Sequence, residues 1–339
     1  VDLDGDGRLS RAEAGAGLLP ERFEESDADG DGVLGLEELE RSHERAAERL
    51  PNVAVPEMDS VGAMEIFVTA PQGLCDFIST MDTSRIAEWN AWYHLMNCGF
   101  PIKASGETDF PCMSGTRVGQ GRVYVKLGNV DRVDYSAWCE GVRRGRSYVS
   151  DGYAHALAFE VEGKPAGDEV DLPGPGSVTV RTRVAFAAER PAEVEYGGAI
   201  AREGLRVTGD TRERRPGEPA PSLLRRVEVV VNGRVAAARE VPADDREHDL
   251  SFRVGVERSS WIAVRHFPEL HTNPVTVRVG GRPVRASRAS AMWARACVEQ
   301  LWRVRGRGIA ASERDAARQA FEAAAKAYLR IAAECPEGS

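Results

Sequence analysis

The sequence has few cysteines, few lysines and no long hydrophobic run, and each scarcity excludes a class of protein. No apolar stretch approaches the roughly 20 residues that span a bilayer, so no transmembrane segment is expected. The six cysteines include no CxxC pair, which excludes a zinc ribbon or a thioredoxin motif. We expect buried free thiols, with a disulfide in an exported protein as the alternative. Lysine occurs only at four positions, and there is no basic stripe of the kind that binds nucleic acid.

The charge of the chain is concentrated at one end. The 53 acidic and 44 basic residues give a formal net charge of −9. Residues 1–50 hold 15 acids and 6 bases, whereas residues 51–339 hold 38 of each. An acidic segment on a neutral body indicates that the segment binds something cationic.

Two twelve-residue stretches of the acidic segment share one spacing. Residues 2–13 read DLDGDGRLSRAE, and residues 27–38 read DADGDGVLGLEE. Both fit the D-x-D-x-D-G-x5-E pattern of an EF-hand loop, in which Ca²⁺ takes about six to eight oxygen ligands. The predicted calcium ligands are Asp2, Asp4, Asp6, the carbonyl of Arg8, Ser10 and Glu13 in the first loop, and Asp27, Asp29, Asp31, the carbonyl of Val33 and Glu38 in the second.

The spacing of the two loops predicts a compact pair. One helix, over residues 11–25, is expected between them, and Pro20 either kinks or splits it. Leu9 and Leu34 hold the position at which paired loops form a short β-bridge. The helix that enters the first loop would precede Val1. A dockerin is the alternative, although dockerins usually have asparagine where Asp4 and Asp29 stand.

Residues 51–153 alternate between predicted strands and helices, which favours an α/β layer or part of a barrel. Strands are predicted at residues 65–70, 102–105, 121–128 and 147–150, and helices at residues 83–98 and 134–144; a charged helix at residues 36–50 precedes them. Catalytic carboxylates lie where the strands of such a layer end. The second strand leads into Gly106-Glu107-Thr108-Asp109.

Four segments carry a resemblance to a known family: EWNAWYHLMNCGFPIKASGETDFPC, GRVYVKL, AWCEGVRRGRSYVSDG and ERSSWIAVRHFPELHTNPVTV. They resemble the carbaryl-hydrolase-like (CehA/McbA) metallohydrolases of the PHP superfamily, especially the long planctomycete-type members, from about Leu50 to the C-terminus. The resemblance implies a distorted β/α barrel whose divalent metals, such as Zn²⁺ or Mn²⁺, activate water to hydrolyse ester, amide, carbamate or phosphoester bonds. It also implies that Asp109 is a metal ligand.

The sequence departs from this family at the other ligands. Pro111 stands where the family has a histidine, and no HxH occurs in the chain. The resemblance therefore implies the last part of a barrel, and one carboxylate does not hold a catalytic metal. We expect His94, His155 and His271 to be hydrogen-bonded within the fold, and His43 and His248 to be solvated.

From His155 the hydrophobic period changes to two, which predicts a β-sandwich of immunoglobulin-like texture. Strands are predicted at residues 156–161, 177–187, 225–231, 234–240, 249–256, 261–266 and 274–279, with a type I′ turn at Asn232-Gly233. Residues 203–221 form a predicted polar loop. Two amphipathic helices, at residues 287–304 and 312–334, complete the chain. The predicted fold class is multidomain α+β, with domains at residues 1–50, 51–153, 154–286 and 287–339.

Two functions remain open at this level. The first is a bacterial calcium-binding protein that carries the C-terminal part of a metal-dependent hydrolase, with structural calcium and a small ester, amide or carbamate substrate. The second is a non-enzymatic, calcium-dependent binding or scaffold protein. Calcium loops suit extracellular calcium levels, so an extracytoplasmic location is expected. No nucleic-acid partner is expected.

Overall fold

The computed structural model describes residues 4–14, 19, 21, 23–47, 50–53, 64–80, 85–108, 119, 121–189 and 223–336. Over these residues the chain is a mixed α+β protein whose strands form four sheets. No helix in the described part of the chain is long and apolar enough to cross a membrane.

The acidic segment contains short elements around its own small core. In chain order they are β1 (Leu9–Ser10), α1 (Arg11–Ala14), α2 (Phe23–Ser26), β2 (Val33–Leu34) and α3 (Leu36–Ala47). Ala14, Phe23 and Leu34 are buried together there. The helix expected over residues 11–25 is split, because α1 ends before Leu19 and Glu21, which lie outside any helix.

The body of the protein begins with helices and short strands. These are α4 (Ile66–Thr69), β3 (Phe77–Thr80), α5 (Arg85–Asn97), β4 (Lys103–Gly106), β5 (Arg122–Val125), α6 (Tyr135–Arg144) and β6 (Ser147–Ser150). The strand predicted at residues 65–70 is wrong, because this apolar segment forms α4. Ile66, Phe67 and Val68 are all buried, and short apolar runs buried on every side do not show by periodicity whether they are helical.

The remainder of the body consists mainly of antiparallel strands, followed by two helices. The strands are β7 (Ala154–Val161), β8 (Lys164–Pro165), β9 (Glu169–Leu172), β10 (Gly176–Phe186), β11 (Leu224–Val231), β12 (Arg234–Pro242), β13 (Glu247–Val256), β14 (Ser260–His266), β15 (Leu270–Thr272) and β16 (Val275–Val279). The helices are α7 (Arg288–Arg305) and α8 (Arg314–Glu334). All seven strands predicted after His155 are confirmed, as are both helices.

Three layers organise the body around one large sheet. The eight-stranded sheet has the order β12-β11-β14-β15-β6-β5, and β16 and β9 extend it from β14. One face packs on the four-stranded sheet β13-β10-β7-β8. The other face packs on α5, which packs on α7, and α7 packs on α8. Strand β14 shows how one strand contributes to both faces. Ile262 and Val264 enter the core between the two sheets, whereas Trp261 and Ala263 enter the core under the helices.

The layers cross the predicted domain boundaries. Strand β6 pairs with β15 on the far side of the boundary at residues 153–154. The hydrophobic core under the helices contains Trp92, Trp261 and Tyr328, which lie in three of the predicted domains. Segments from different predicted domains therefore share one sheet and one hydrophobic core.

A small parallel sheet, β3 with β4, lies beside the large one. The side chain of Asn273 joins the two sheets. Its Oδ1 accepts from the backbone N–H of Ala104 at 2.8 Å, and its Nδ2 donates to the carbonyl of Ala104 at 3.0 Å and to Oγ of Ser147 at 2.8 Å. This places the start of β4 next to the start of β6, and Gly106 at the carboxyl end of β4 lies beside Arg122 of β5.

Candidate metal centre

The two loops of the acidic segment are held side by side by a short antiparallel pairing. Leu9 lies opposite Leu34, and Ser10 lies opposite Val33. This confirms the predicted β-bridge. Arg11 lies over the ring of Phe23, with its guanidinium carbon 4.6 Å from the ring centre. The pairing and the core beneath it fix the orientation of both loops.

The second loop folds around its own carboxylates. Asp27 accepts from the N–H of Gly30 at 2.8 Å and of Gly32 at 3.1 Å, Asp29 accepts from Asp31 at 3.0 Å, and Asp31 accepts from Val33 at 2.9 Å. Gly30 and Gly32 have φ values of 75° and 85°, a left-handed conformation that glycine adopts without strain. These turns bring the side chains at the start of the loop back towards its end.

Glu38 closes the second loop. Its Oε1 accepts from the N–H of Ala28 at 2.9 Å, and its Oε2 accepts from the N–H of Gly35 at 3.0 Å. The hydrogen bonds from Gly35 and then Ala28 lower the pKa of Glu38, because they favour the charged carboxylate. The side chain at the last loop position is therefore ionised and directed at the first residues of the loop.

One group of three carboxylates results from this arrangement. Asp27, Asp29 and Glu38 each offer an oxygen, and these oxygens lie within 4.8 Å of one another. Such a group can hold a metal ion. Asp31 is not part of it. Its Oδ2 lies 3.4 Å from Nη1 of Arg8 in the first loop.

The first loop repeats the hydrogen bonds of the second at matching positions. Asp4 accepts from the N–H of Asp6 at 3.2 Å, Asp6 accepts from Arg8 at 2.7 Å, and Glu13 accepts from Ser10 at 2.9 Å. Each bond corresponds to one in the second loop, 25 residues further along the chain. Ser10 also donates its hydroxyl to Glu13 at 2.6 Å. Asp2 lies outside the described residues.

Buried polar side chains behind the second loop were missed by sequence reasoning. Oε2 of Glu21 accepts from Oγ of Ser42 at 2.9 Å and from Nε of Arg45 at 3.0 Å, and Ser26 and Ser42 share a hydrogen bond of 2.9 Å. These contacts tie the segment before α2 and α2 itself to α3. Their spacing of 16 to 24 residues leaves no local pattern to detect.

The described part of the body contains no second group of three potential metal-ligating side chains. Asp109, the ligand that the family resemblance implies, lies outside the described residues, and Glu107 beside it is exposed. The prediction for His94 is confirmed: Nδ1 lies 2.9 Å from Oγ of Ser290 and Nε2 lies 2.6 Å from the carbonyl of Asn52. His155 lies 2.9 Å from the hydroxyl of Tyr148, also as expected.

The expectation that His248 is solvated is wrong. Its Nε2 lies 2.8 Å from Asp244, and only 22% of the side chain is exposed. The side chain of His43 lies outside the described part. The described cysteines, Cys75, Cys98, Cys139, Cys297 and Cys335, are free thiols, but only Cys98 and Cys297 are buried as expected.

Comparisons with family models, with curated proteins and with solved structures find no match for this chain. Its chemistry must therefore be argued from its own residues. The acidic loops supply only oxygen donors, which suit hard cations.

Proposed function

We propose that the chain binds calcium through two EF-hand loops in residues 1–50. The observation that carries this proposal is the convergence of Asp27, Asp29 and Glu38 on one point, within a loop whose sequence has the calcium-binding spacing. The matching hydrogen bonds of the first loop support a second site there. Proposed ligands are those predicted from the sequence.

The donor set favours calcium over other metals. The loop from Asp27 to Glu38 contains carboxylates and backbone carbonyls, but no histidine or cysteine. Zinc and copper prefer such nitrogen and sulfur ligands, whereas Mg²⁺ demands near-octahedral geometry and retains several waters. A long acidic loop with a terminal glutamate matches the larger and more flexible coordination of Ca²⁺.

Calcium in these loops has a structural role in this proposal. The group of carboxylates joins the residue after α2 to the first turn of α3, so a bound ion would cross-link the two helices. Two bound ions would change the formal net charge from −9 to −5 and relieve repulsion within the segment. Extracellular calcium levels suit such loops, and we place the protein outside the cytoplasm on this basis.

Calorimetric titration of the chain with CaCl₂ tests the proposal. We expect saturable uptake of two ions, and loss of the second-loop site in Glu38→Gln, which keeps the size of the side chain but removes its charge. Glu40→Gln is the matched control, because Glu40 is exposed on the same helix. An absence of calcium uptake, or equal uptake by both variants, would refute the proposal.

For the body we favour a binding or scaffold role over catalysis. The observation behind this choice is that His94 and His271, both buried, use both ring nitrogens in hydrogen bonds within the fold. Hydrolysis of an aryl ester or carbamate by the chain in the presence of Zn²⁺ or Mn²⁺ would overturn it. That outcome would support the hydrolase implied by the family resemblance.

A further inference from the structure

A cleft of about 610 Å³ lies where three connections of the body meet the C-terminal end of α8. The connections are the turn between β9 and β10, the turn between β13 and β14, and the segment between β16 and α7. The volume falls within the range of roughly 300 to 1,000 Å³ that small-molecule sites occupy. The cleft is remote in sequence from the calcium loops.

Prolines restrict the backbone of the cleft walls. Pro173, Pro175, Pro283 and Pro336 line it, and each proline ring fixes its own φ. The buried Ser259 anchors the wall that carries Arg282, because its hydroxyl donates to the carbonyl of Arg282 at 2.7 Å and accepts from the N–H of Val279 at 2.9 Å. A cleft with such walls needs little ordering when a ligand enters.

The charged side chains of the cleft divide into a structural pair and an exposed set. Arg285 is engaged within the protein: its Nε lies 2.5 Å from Oε2 of Glu334, and its Nη1 donates to the carbonyl of Cys98 at 2.9 Å. Arg258 and Arg282 are exposed, and neither forms an ion pair with another described residue. Glu257 is the remaining acid of the lining.

We propose that this cleft binds a small molecule with one carboxylate or phosphate group on an apolar body. The two exposed guanidinium groups supply the planar, two-donor contacts that such anions accept. The proline rings supply an apolar surface for the rest of the ligand. Glu257 opposes ligands with several negative charges and therefore favours a single anionic group.

Three probes that each carry one aromatic ring test the anion requirement. At neutral pH benzoate carries one negative charge, phenyl phosphate carries close to two, and phenol is neutral. We expect phenyl phosphate or benzoate to shift the amide NMR signals of Gly280 and Gly281 saturably at millimolar concentration, and phenol to bind at least about fivefold more weakly. The stronger of the two anions identifies the group that the cleft prefers.

Variants that remove charges from the cleft test the contribution of the charged residues to anion binding. Arg258→Gln/Arg282→Gln is expected to weaken binding of the better anion by about fivefold per arginine, and Glu257→Gln to strengthen it. Arg253→Gln is the control, because Arg253 is an exposed arginine of β13 outside the cleft and donates to Ser177. All measurements use the full chain in constant CaCl₂, so failure of the calcium proposal would not alter them. Absence of saturable shifts, or equal binding by the double variant and the control, would overturn the inference.

Discussion

The hydroxyl of Tyr93 lies 2.6 Å from Nε2 of His271, and both side chains are fully buried. Nδ1 of the same histidine lies 2.7 Å from the carbonyl of Thr272, an atom that only accepts. The proton of the neutral ring is therefore on Nδ1, and Tyr93 donates to Nε2. Nη1 of Arg265 in turn donates to the Tyr93 hydroxyl at 3.1 Å. The contact joins α5 to the large sheet.

Removal of this hydroxyl should destabilise the protein. Tyr93→Phe removes the hydrogen-bond partner of Nε2 of His271 and of Nη1 of Arg265, and the expected loss in the free energy of unfolding is about 2 kcal/mol. Urea unfolding, followed by tryptophan fluorescence, measures it. Tyr135→Phe is the control, because Tyr135 is 76% exposed, and an equal loss in the two variants would contradict the prediction.

The buried histidines should make stability depend on pH. Burial, as the main cause, lowers the pKa of His94 to about 4 and that of His271 to about 3. The unfolded chain takes up these protons near pH 6.5, whereas the folded chain resists them until its lower pKa values. Above pH 6.5 the two histidines therefore do not change the free energy of unfolding. As the pH falls below 6.5, each histidine lowers the free energy of unfolding by about 1.4 kcal/mol per pH unit.

The contribution of His94 to the pH dependence of stability can be separated from that of the carboxylates. Unfolding free energies of the native chain and of His94→Gln, measured between pH 7 and pH 5, should show the shallower slope in the variant. Carboxylates contribute mostly below this window, because their ordinary pKa values lie near 4. Parallel slopes would show that His94 takes up its proton in the folded state.

The turn between β11 and β12 offers a test of close packing. Asn232 and Gly233 have φ values of 53° and 86°, as the predicted type I′ turn requires. A methyl group on Gly233 would lie 2.7 Å from Cδ of Pro51 and 2.9 Å from Cδ2 of Tyr93. Gly233→Ala should therefore cost about 1 to 2 kcal/mol from backbone strain and a further 1 to 3 kcal/mol from overlap.

A second two-residue turn provides the control for this variant. Glu162 and Gly163, between β7 and β8, have φ values of 50° and 75°, but a methyl group on Gly163 would meet nothing within 4 Å. Gly163→Ala should show the backbone strain alone. Thermal unfolding of the two variants gives the difference, and equal losses would contradict the predicted overlap.

The β-bridge between the two proposed calcium loops should couple their affinities. Leu34 is fully buried beneath both loops and is not among the proposed ligands. Leu34→Ala should weaken calcium uptake at both sites. The cavity left by the substitution destabilises the shared core of the loops by about 2 to 4 kcal/mol. Leu36→Ala is the control, since Leu36 is 68% exposed. Unchanged calorimetric titrations for Leu34→Ala would contradict the coupling.

Local patterns in the sequence predicted most strands and helices of the described body. The strands after His155 alternate apolar and polar residues because one face of each enters a core, and this period is visible in the sequence. Strands β3 and β9 were missed. Both are short and form parallel pairs, with β4 and β16, that join distant segments. The burial of α4 beneath the C-terminal helices is equally non-local, since Tyr328 donates to the carbonyl of Phe67 across the chain.

The candidate site was more predictable than the fold around it. Asp27, Asp29 and Glu38 were identified because loop spacing alone brings them together. The ion pair of Asp31 with Arg8 was not foreseen, because it depends on how the two loops pair. The cleft near Arg258 and Arg282 gave no sequence signal, since its lining residues come from turns of different sheets.

Asn273 takes the place of a strand between two sheets. Its side-chain amide pairs with both backbone groups of Ala104, as a neighbouring strand would. The edge of β4 that faces the large sheet is therefore hydrogen-bonded at this residue, where Ala104 and Asn273 are both fully buried. A buried backbone N–H or C=O group without a partner costs free energy. One side chain thus allows the two sheets to lie side by side without a continuous ladder between them.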